Sequence, residues 1–418
     1  MAAEATTRIR LGDASQAGRT GKPARPLAPI GLAFFAFVLI GANDGAVGVL
    51  LPSIIAHYGL TKATASLLFP AGTVGYLAAA LNSGLLLERL GRRAFLMAGA
   101  AALGLGALLA LAAPPFPLLL PAFALIGFGA AILDAGLNAY VAGLPRSSGL
   151  LNYLHAFYGA GALLGPLAAS AVLALAGHWN ATYLLWALAA ALVLAGVRLA
   201  FAPNGARTHP AVSTSHARNP GKTGNPLAPA LRSRLVWIAA LFLCVYVGTE
   251  VSLGSWSYTL LTEGRRVPDL PASWMVSGYW LGLTAGRLAV ARVADRWGAA
   301  RLIQGCIAGV LVAVLLVWIA PSAAVSAAGL WLAGFSLGPI FPSTISLIDA
   351  TVPSRLQQSA IGFAASLGAM GGAAFPWLAG NLIQRAGLPA LLPYVAGLTF
   401  ALLALWLTLQ RAARPRTV

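Results

Sequence analysis

Charged residues are scarce in this chain of 418 amino acids. Asp, Glu, Lys and Arg together make up 9% of it, whereas a soluble domain contains about 25%. Hydrophobic residues make up 59%. So few charges do not suit a surface that faces water on all sides, which argues against a soluble globular protein. We therefore predict an integral membrane protein.

Cysteine and recognisable catalytic motifs are also nearly absent. The two cysteines, Cys244 and Cys306, both lie in apolar runs and show neither the spacing of a metal site nor a disulfide framework. The sequence has no phosphate-binding Walker loop, no cluster of metal ligands and no nucleophile elbow. We expect a protein that is not an enzyme, holds no metal or other cofactor, and does not hydrolyse ATP.

Acidic residues are fewer than basic residues: the chain has 10 Asp and Glu against 27 Lys and Arg. The net charge of +17 would suggest nucleic-acid binding in a soluble protein, but the basic residues lie at the ends of apolar runs and in loops. That placement is typical of the positive-inside rule. We expect no nucleic-acid partner; the expected partners are lipid, protons and a small solute, with the protein acting as a monomer.

Apolar runs long enough to cross a bilayer recur along the chain. A membrane helix needs about 20 apolar residues. Such runs between turn signals predict twelve spans: 28–57, 62–87, 94–113, 117–144, 149–178, 181–202, 235–262, 271–293, 299–320, 323–350, 355–385 and 388–410.

The polar stretches between the runs define the domains. We predict an N-terminal tail (1–27), a six-helix bundle (28–202), a linker (203–234) rich in Pro, Gly, Ser and Asn, a second bundle (235–410) and a C-terminal tail (411–418). Of the 27 Lys and Arg, only four fall on the side away from the termini: Lys62, Arg265, Arg266 and Arg385. Both termini are therefore expected in the cytoplasm, in a multi-pass protein of a bacterial-type inner membrane.

The two bundles repeat one another. An acidic-Arg-x-Gly sequence after the second span, at Glu88, recurs 207 residues later at Asp295. Asp44 and Glu250, near the middles of the first and seventh spans, are 206 residues apart. Because two separate features recur at almost the same distance along the sequence, they indicate a duplicated six-helix unit.

Three carboxyl groups lie well inside predicted spans, Asp44, Asp134 and Glu250, whereas Asp349 lies at the very end of the tenth. A charge at the bilayer centre costs about 3 kcal/mol on insertion scales, so such a residue usually faces a partner or a watery cavity. Asp134 and Asn138 share one helix face, and His155 and Tyr158 share another. We interpret them as walls of a polar cavity. A carboxyl exposed alternately to two sides can take up a proton on one and release it on the other; the alternative is a structural carboxylate bonded to a neighbouring helix.

Further polar and aromatic residues are candidates for the same cavity. The asparagines either bind solute hydroxyls or bridge helices, His155 either relays protons and binds hydroxyls or is an interior histidine, and the tryptophans either stack on a ring or pack. The full predicted binding set is Asn43, Asp44, Asp134, Asn138, Asn152, His155, Tyr158, Glu250, Trp256 and Trp280. Asp349 fits an ion pair at the membrane interface better than a ligand role.

The sequence GLLLERLGRR, residues 84–93, resembles the cytoplasmic motif G-x-x-x-D/E-R-x-G-R-K/R of the major facilitator superfamily. The resemblance implies an all-α membrane fold with twelve helices in two pseudo-symmetric six-helix bundles. An acidic residue here can pair with arginines in one conformation and release them in another; the alternative is a basic loop that only sets topology. The predicted gating residues are Gly84, Glu88, Arg89, Arg92, Arg93, Asp295, Arg296 and Arg301.

A narrower resemblance is to the fucose–galactose–proton symporter family. It rests on Asn43-Asp44 followed by Leu51-Pro52, on residues 133–141 (LDAGLNAYV), and on Leu151-Asn152 with Phe157. It implies that Asp44 and Asp134 are the proton-linked and sugar-binding carboxylates. Glu250, which its place in a span singles out and this resemblance does not, is a third candidate for proton coupling. Asp134 stands where the family has Glu, His155 where it has Gln and Tyr158 where it has Asn, so the identity of the sugar does not carry over.

The sequence thus predicts a proton-coupled symporter of a sugar or similar small polar solute, working by alternating access. A proton-driven exporter of drugs or metabolites and a non-transporting solute receptor are the alternatives. Gly161-x-x-x-Gly165-Pro166 resembles part of the antiporter motif of drug exporters, but the Gly-Gly that should follow is replaced by Ala168-Ala169. Close packing of small residues accounts for this pattern.

Overall fold

The computed structural model of the chain describes residues 27–145, 147–201, 227–319 and 322–413. Within these ranges side chains are described except at positions 148, 227, 290–297 and 299. Nearly all of the predicted N-terminal tail, most of the predicted linker and most of the C-terminal tail lie outside the described residues.

The described residues are almost entirely helical. The α-helices are α1 (Leu27–Tyr58), α2 (Lys62–Ala65), α3 (Leu68–Leu111), α4 (Phe116–Ala142), α5 (Ser147–Ala176), α6 (Ala181–Ala200), α7 (Leu227–Leu231), α8 (Arg234–Thr259), α9 (Asp269–Trp297), α10 (Ala299–Ile319), α11 (Ala323–Leu337), α12 (Ile340–Thr351), α13 (Ser354–Ala386) and α14 (Leu391–Ala413). A π-helical turn, Leu260–Gly264, continues α8, and a 3₁₀ turn, Leu388–Ala390, precedes α14.

The helices supply the twelve predicted spans. Among the described residues, ten helical segments are long and apolar enough to cross a membrane. One of them, Lys62–Leu111, is divided at Gly91 and forms two spans. The 29-residue helix α9, which packs between α5 and α11, is the twelfth. The predicted all-α fold with twelve spans is confirmed.

Two spans differ in detail from their predicted form. The second is preceded by the separate short helix α2, which Thr61 caps by accepting a hydrogen bond from the Thr64 backbone N–H. The tenth is interrupted at Gly338-Pro339, between α11 and α12. Proline lacks the backbone N–H that an uninterrupted helix needs, which accounts for the break.

The duplicated motif places a glycine in the same unusual backbone conformation in each half. Gly91 and Gly298, again 207 residues apart, have φ angles of 73° and 74°. Each ends one membrane helix and begins the next on the side of the molecule that carries the chain termini. At Gly91, ψ is 161°, a combination that residues with a Cβ essentially avoid. The turn therefore requires glycine.

Replacing Gly91 by alanine is expected to lower the melting temperature of the purified protein, because the strained backbone costs about 1–3 kcal/mol. The matched control is Gly84→Ala in the same segment, since an added Cβ at Gly84 meets nothing within 4 Å. Equal melting temperatures for the two variants would contradict the backbone requirement at Gly91.

The helices form two bundles with corresponding contacts. In the N-terminal half, α1 packs against α5, and α3 packs against α4 and α6. In the C-terminal half, α8 packs against α13, and α9 against α11. The halves meet where α1 contacts α8, α5 contacts α9 and α3 contacts α13. This arrangement confirms the predicted pseudo-symmetric pair of bundles.

Glycines allow α1 and α5 to approach closely. A Cβ added to Gly161 or Gly165 would lie 2.1 Å or 2.2 Å from the carbonyl oxygens of Val38 and Ala42. On α1, a Cβ at Gly41 or Gly45 would collide with the α5 backbone in the same way. The packing predicted for the Gly161-x-x-x-Gly165 pattern is therefore present, and it holds Asp44 of α1 against α5.

Candidate functional site

Asp44 lies midway along α1 and faces the interior of the bundle. The hydroxyl of Tyr158 on α5 donates to Asp44 Oδ2 at 2.9 Å, and the side-chain amide of Asn43 donates to Oδ1 at 3.2 Å. The Asp44 side chain is nevertheless exposed. A carboxyl group that is bonded to a neighbouring helix yet still exposed faces a solvent-accessible space between helices.

Asp134 lies on α4, on the same side of this space. Its Oδ2 accepts a hydrogen bond from the Tyr76 hydroxyl at 3.2 Å, and its Oδ1 accepts one from the Asn138 amide at 2.9 Å. Asp44 is near enough for its charge to act on both Asp134 and Tyr76. The predicted pair of carboxyl groups is thus brought together, and their hydrogen-bond donors are neutral.

Glu250 lies on α8, in the opposite half, in a different environment. Its Oε1 forms an ion pair with Nη2 of Arg287 on α9 at 3.3 Å, and its Oε2 accepts a hydrogen bond from Tyr246. The Tyr279 hydroxyl donates to the Glu250 backbone carbonyl at 2.8 Å. Glu250 is therefore a carboxylate whose charge is compensated by a cation.

The two halves face each other across this space. The Arg287 guanidinium is near enough for its charge to act on Tyr158 and His155 of α5. The charge of Glu250 also reaches Tyr158. Tyr158, which donates to Asp44, thus links the carboxyl pair of the N-terminal half to the ion pair of the C-terminal half.

The halves are in direct contact on the side away from the chain termini. Lys62 Nζ pairs with Glu263 Oε2 at 2.7 Å, and the Lys62 backbone N–H donates to Gln384 Oε1 at 2.9 Å. Ser277 of α9 donates to the Leu163 carbonyl of α5 at 2.8 Å. These contacts close the space between the halves on that side.

Towards the terminal side, α5 presents exposed polar residues. Asn152 and His155, one and two turns into the helix, are both exposed, and the edge of the His155 ring contacts Phe37 of α1 at a centroid distance of 5.8 Å. Together with the exposure of Asp44, this places exposed polar side chains between the site and the terminal side.

The two tryptophans of the predicted binding set lie on the closed side. Trp256 is completely buried, and its indole N–H donates to the Pro376 carbonyl of α13. Trp280 is 5% exposed, with its ring beside Gly254. In this conformation neither has the exposed ring face that stacking on a solute needs. Both pack between helices instead.

The predicted gating segment lies at the open side. Glu88, Arg89, Arg92 and Arg301 are exposed. Arg92 lies over the Tyr140 ring at 5.4 Å, and Arg93 donates to the Arg198 carbonyl at 2.8 Å.

Two points correct or limit the predictions for this segment. Gly84 was expected to permit a close helix approach, but nothing lies within 4 Å of a Cβ added there, so no neighbouring helix requires glycine at this position. The side chains of Asp295 and Arg296 lie outside the described residues, so their pairing stays a prediction.

Three site residues were missed by sequence reasoning: Tyr76, Tyr246 and Arg287. Arg287 lies inside the apolar sequence LGLTAGRLAV, and the cost of a charge in a span, which singled out Asp44, would have singled it out too. Sequence reasoning placed the basic residues at the ends of apolar runs and in loops, and Arg287 was not distinguished from them. The tyrosines have no such signal, since tyrosine is common in membrane helices.

The family model described as Major Facilitator Superfamily matches residues 33–268 and 261–418. The chain belongs to the major facilitator superfamily. Membership of this superfamily makes the chain a multi-pass membrane transporter and not an enzyme, as the twelve-helix fold and its duplicated loop motif suggest.

Three similar proteins illustrate the comparisons. The chain is 27% identical over 410 residues to "Bypass of stop codon protein 6" of Saccharomyces cerevisiae, which covers 91% of this chain and 81% of that protein. It is 26% identical over 407 residues to the "3-(3-hydroxy-phenyl)propionate transporter" of Escherichia coli, and this match covers 93% of this chain and 96% of that protein. The fold is similar to that of the E. coli fucose:proton symporter FucP in its outward conformation, with a TM-score of 0.62 and 20% sequence identity. This match covers 93% of this chain and 100% of the FucP chain.

Proposed function

We propose that this transporter is a proton-coupled symporter of a small polar, sugar-like solute. The observation that carries the proposal is the contrast between the carboxyl groups of the site. Asp44 and Asp134 accept hydrogen bonds from tyrosine and asparagine, whereas Glu250 is paired with Arg287. Among the described residues, neither aspartate forms an ion pair. Proton uptake by either one neutralises a charge that no such cation compensates.

The aspartates are the proton carriers in this proposal, whereas Glu250 forms an ion pair with Arg287. Away from bulk water the neutral form of a carboxyl group is favoured unless a cation balances the charged form. Asp44 and Asp134 also lie near enough for the charge of one to act on the other. A proton held on either of them while the site is closed to water is released when the site opens to a less acidic side.

The solute is bound in the same space. Asn43, Asn138 and Tyr158 hold the two carboxyl groups and supply further donors and acceptors, while Asn152 and His155 lie exposed towards the open side. Such a set suits hydroxyl groups, each of which both donates and accepts. Rocking of one bundle against the other would expose this midplane site alternately, as in other two-bundle transporters of this superfamily.

We propose that the termini face the cytoplasm of a bacterial-type inner membrane. The support is the excess of Lys and Arg in the segments on the terminal side. The described structure is then open to the cytoplasm and closed to the outside by contacts such as Lys62–Glu263. An ion pair this exposed contributes at most about 1 kcal/mol, which suits a contact that must break in every cycle.

Uptake into proteoliposomes tests the proposal. Purified protein is reconstituted, a proton gradient of either direction is imposed, and labelled neutral sugars and sugar acids are added outside. A symporter accumulates its solute when the outside is the more acidic, and a protonophore abolishes the accumulation. Accumulation only under the opposed gradient would identify an exporter. Binding without accumulation in either gradient would overturn the proposal in favour of a receptor.

A further inference from the structure

We propose that the solute carries a carboxylate as well as hydroxyl groups, and that Arg287 binds this carboxylate. The inference rests on the proposed function and narrows its solute to a hydroxylated acid. The evidence for the carboxylate is the ion pair between Glu250 of α8 and Arg287 of α9.

The Arg287 side chain retains donors beyond its ion pair. A guanidinium presents five N–H donors in a planar fork that matches a carboxylate with two parallel hydrogen bonds. The pairing with Glu250 joins one nitrogen to one oxygen at 3.3 Å, longer than the 2.7–2.9 Å typical of a close charge-assisted bond. The Arg287 side chain is 32% exposed, against 10% for Glu250. Part of the Arg287 side chain is therefore accessible to a ligand.

Arg287 also lies where a ligand touches both halves. One turn nearer the closed side, the Thr284 side chain fills the space beside Gly159 of α5. Arg287 is thus close to the end of the open space, and its charge reaches His155 and Tyr158 across it. An anion held here contacts α9 of one half and α5 of the other.

The charges of the site link this anion to protons. With Asp44 and Asp134 ionised, the group they form with Glu250 and Arg287 has a net negative charge and repels an anion. With both aspartates protonated, Glu250 and Arg287 balance each other, and His155 and the tyrosines add no negative charge. An acid therefore enters most readily with protons bound, which is the coupling that symport requires.

Matched acids and neutral analogues test the proposal by thermal stabilisation of the purified full-length protein in mildly acidic buffer. The pairs are D-galacturonate with D-galactose, D-gluconate with sorbitol, and 3-(3-hydroxyphenyl)propionate with its alcohol. We expect at least one acid to raise the melting temperature in a saturable way, and its neutral analogue to have a smaller effect. Stabilisation by no acid, or by the neutral members equally, would overturn the proposal.

Variants separate carboxylate binding from mere neutralisation of Glu250. Loss of a charge-assisted contact is expected to weaken binding of the stabilising acid by about tenfold or more in Arg287→Gln. Arg287→Lys keeps the charge but loses the fork, so intermediate binding is expected. The double variant Arg287→Gln/Glu250→Gln leaves no unpaired buried charge, and its melting temperature without ligand should recover relative to Arg287→Gln.

The double variant decides the question. If Arg287 binds the solute, the double variant recovers stability but not acid binding; recovery of both would show that Arg287 only compensates Glu250. The proposed function is judged separately by uptake. Gradient-driven uptake of neutral sugars without preference for acids would leave symport standing and refute the carboxylate. If Arg287→Gln lost acid binding but the protein showed no gradient-driven uptake, carboxylate binding by Arg287 would stand and symport would be refuted.

Discussion

Replacing Asp44 or Asp134 by asparagine is expected to abolish accumulation of the solute against its gradient. An amide keeps the size and most hydrogen bonds of the carboxyl group but does not take up a proton near neutral pH. The site then has lost a proton carrier, and transport can only run to equilibrium. Exchange of labelled for unlabelled solute across the membrane should persist, because that step needs no net proton movement.

Two controls accompany these variants in the proteoliposome assay. Asp349→Asn makes the same change at an exposed aspartate near the end of α12 and should leave accumulation unaltered. Asp134→Glu restores a carboxyl group with the side-chain length found in the related symporters, and we expect partial or full accumulation. Wild-type accumulation with unchanged pH dependence in both Asp44→Asn and Asp134→Asn would refute the assignment of the proton carriers.

Gly161→Ala is expected to destabilise the protein strongly. The added Cβ would lie 2.1 Å from the Val38 carbonyl oxygen, so the backbones of α1 and α5 must separate. Overpacking of this kind costs about 1–3 kcal/mol, and more where rigid backbone is the obstacle. Because Asp44 and Tyr158 lie on these two helices, their hydrogen bond should lengthen as well. We expect a lower melting temperature and a lower yield of monodisperse protein in detergent.

Gly149→Ala is the matched control, on the same helix. Nothing lies within 4 Å of a Cβ added at Gly149, and alanine in a helix is more stable than glycine by about 0.5–1 kcal/mol. The control should melt at or above the wild-type temperature. If Gly161→Ala had the same melting temperature as Gly149→Ala, the close contact of α1 and α5 would not be a determinant of stability.

The spans were predictable because membrane insertion depends on local composition. Each apolar run of about 20 residues forms a helix irrespective of its partners, since every backbone group must be bonded within lipid. The repeat was visible for a related reason. Gly91 and Gly298 serve a local turn, and the turn constrains its own residues.

The site was predictable only in part, because contacts between distant helices leave little local trace. Asp44 and Asp134 stand out as charges in apolar runs, yet nothing near them in sequence indicates Tyr158 or Tyr76 as donors. Trp256 looked suitable for stacking, but its burial against Pro376 depends on how α8 meets α13.

Arg287 and Gly84 show two other limits of the sequence. Arg287 carried the same signal as the aspartates, and the basic residues that follow it concealed that signal. The absence of a neighbour at Gly84 depends on how distant helices pack, which the local sequence does not specify.

The reactivity of a cysteine at position 44 shows whether water reaches the site between the bundles. In a chain with Cys244 and Cys306 replaced by alanine, Asp44→Cys is treated in membranes with a charged, impermeant thiol reagent, from each side in turn. Val49→Cys, on the same helix and fully buried, is the control. We expect Asp44→Cys to react from the terminal side and Val49→Cys not to react. If Asp44→Cys resisted the charged reagent from both sides and reacted only with a lipid-soluble one, the water-filled site between the bundles would not exist.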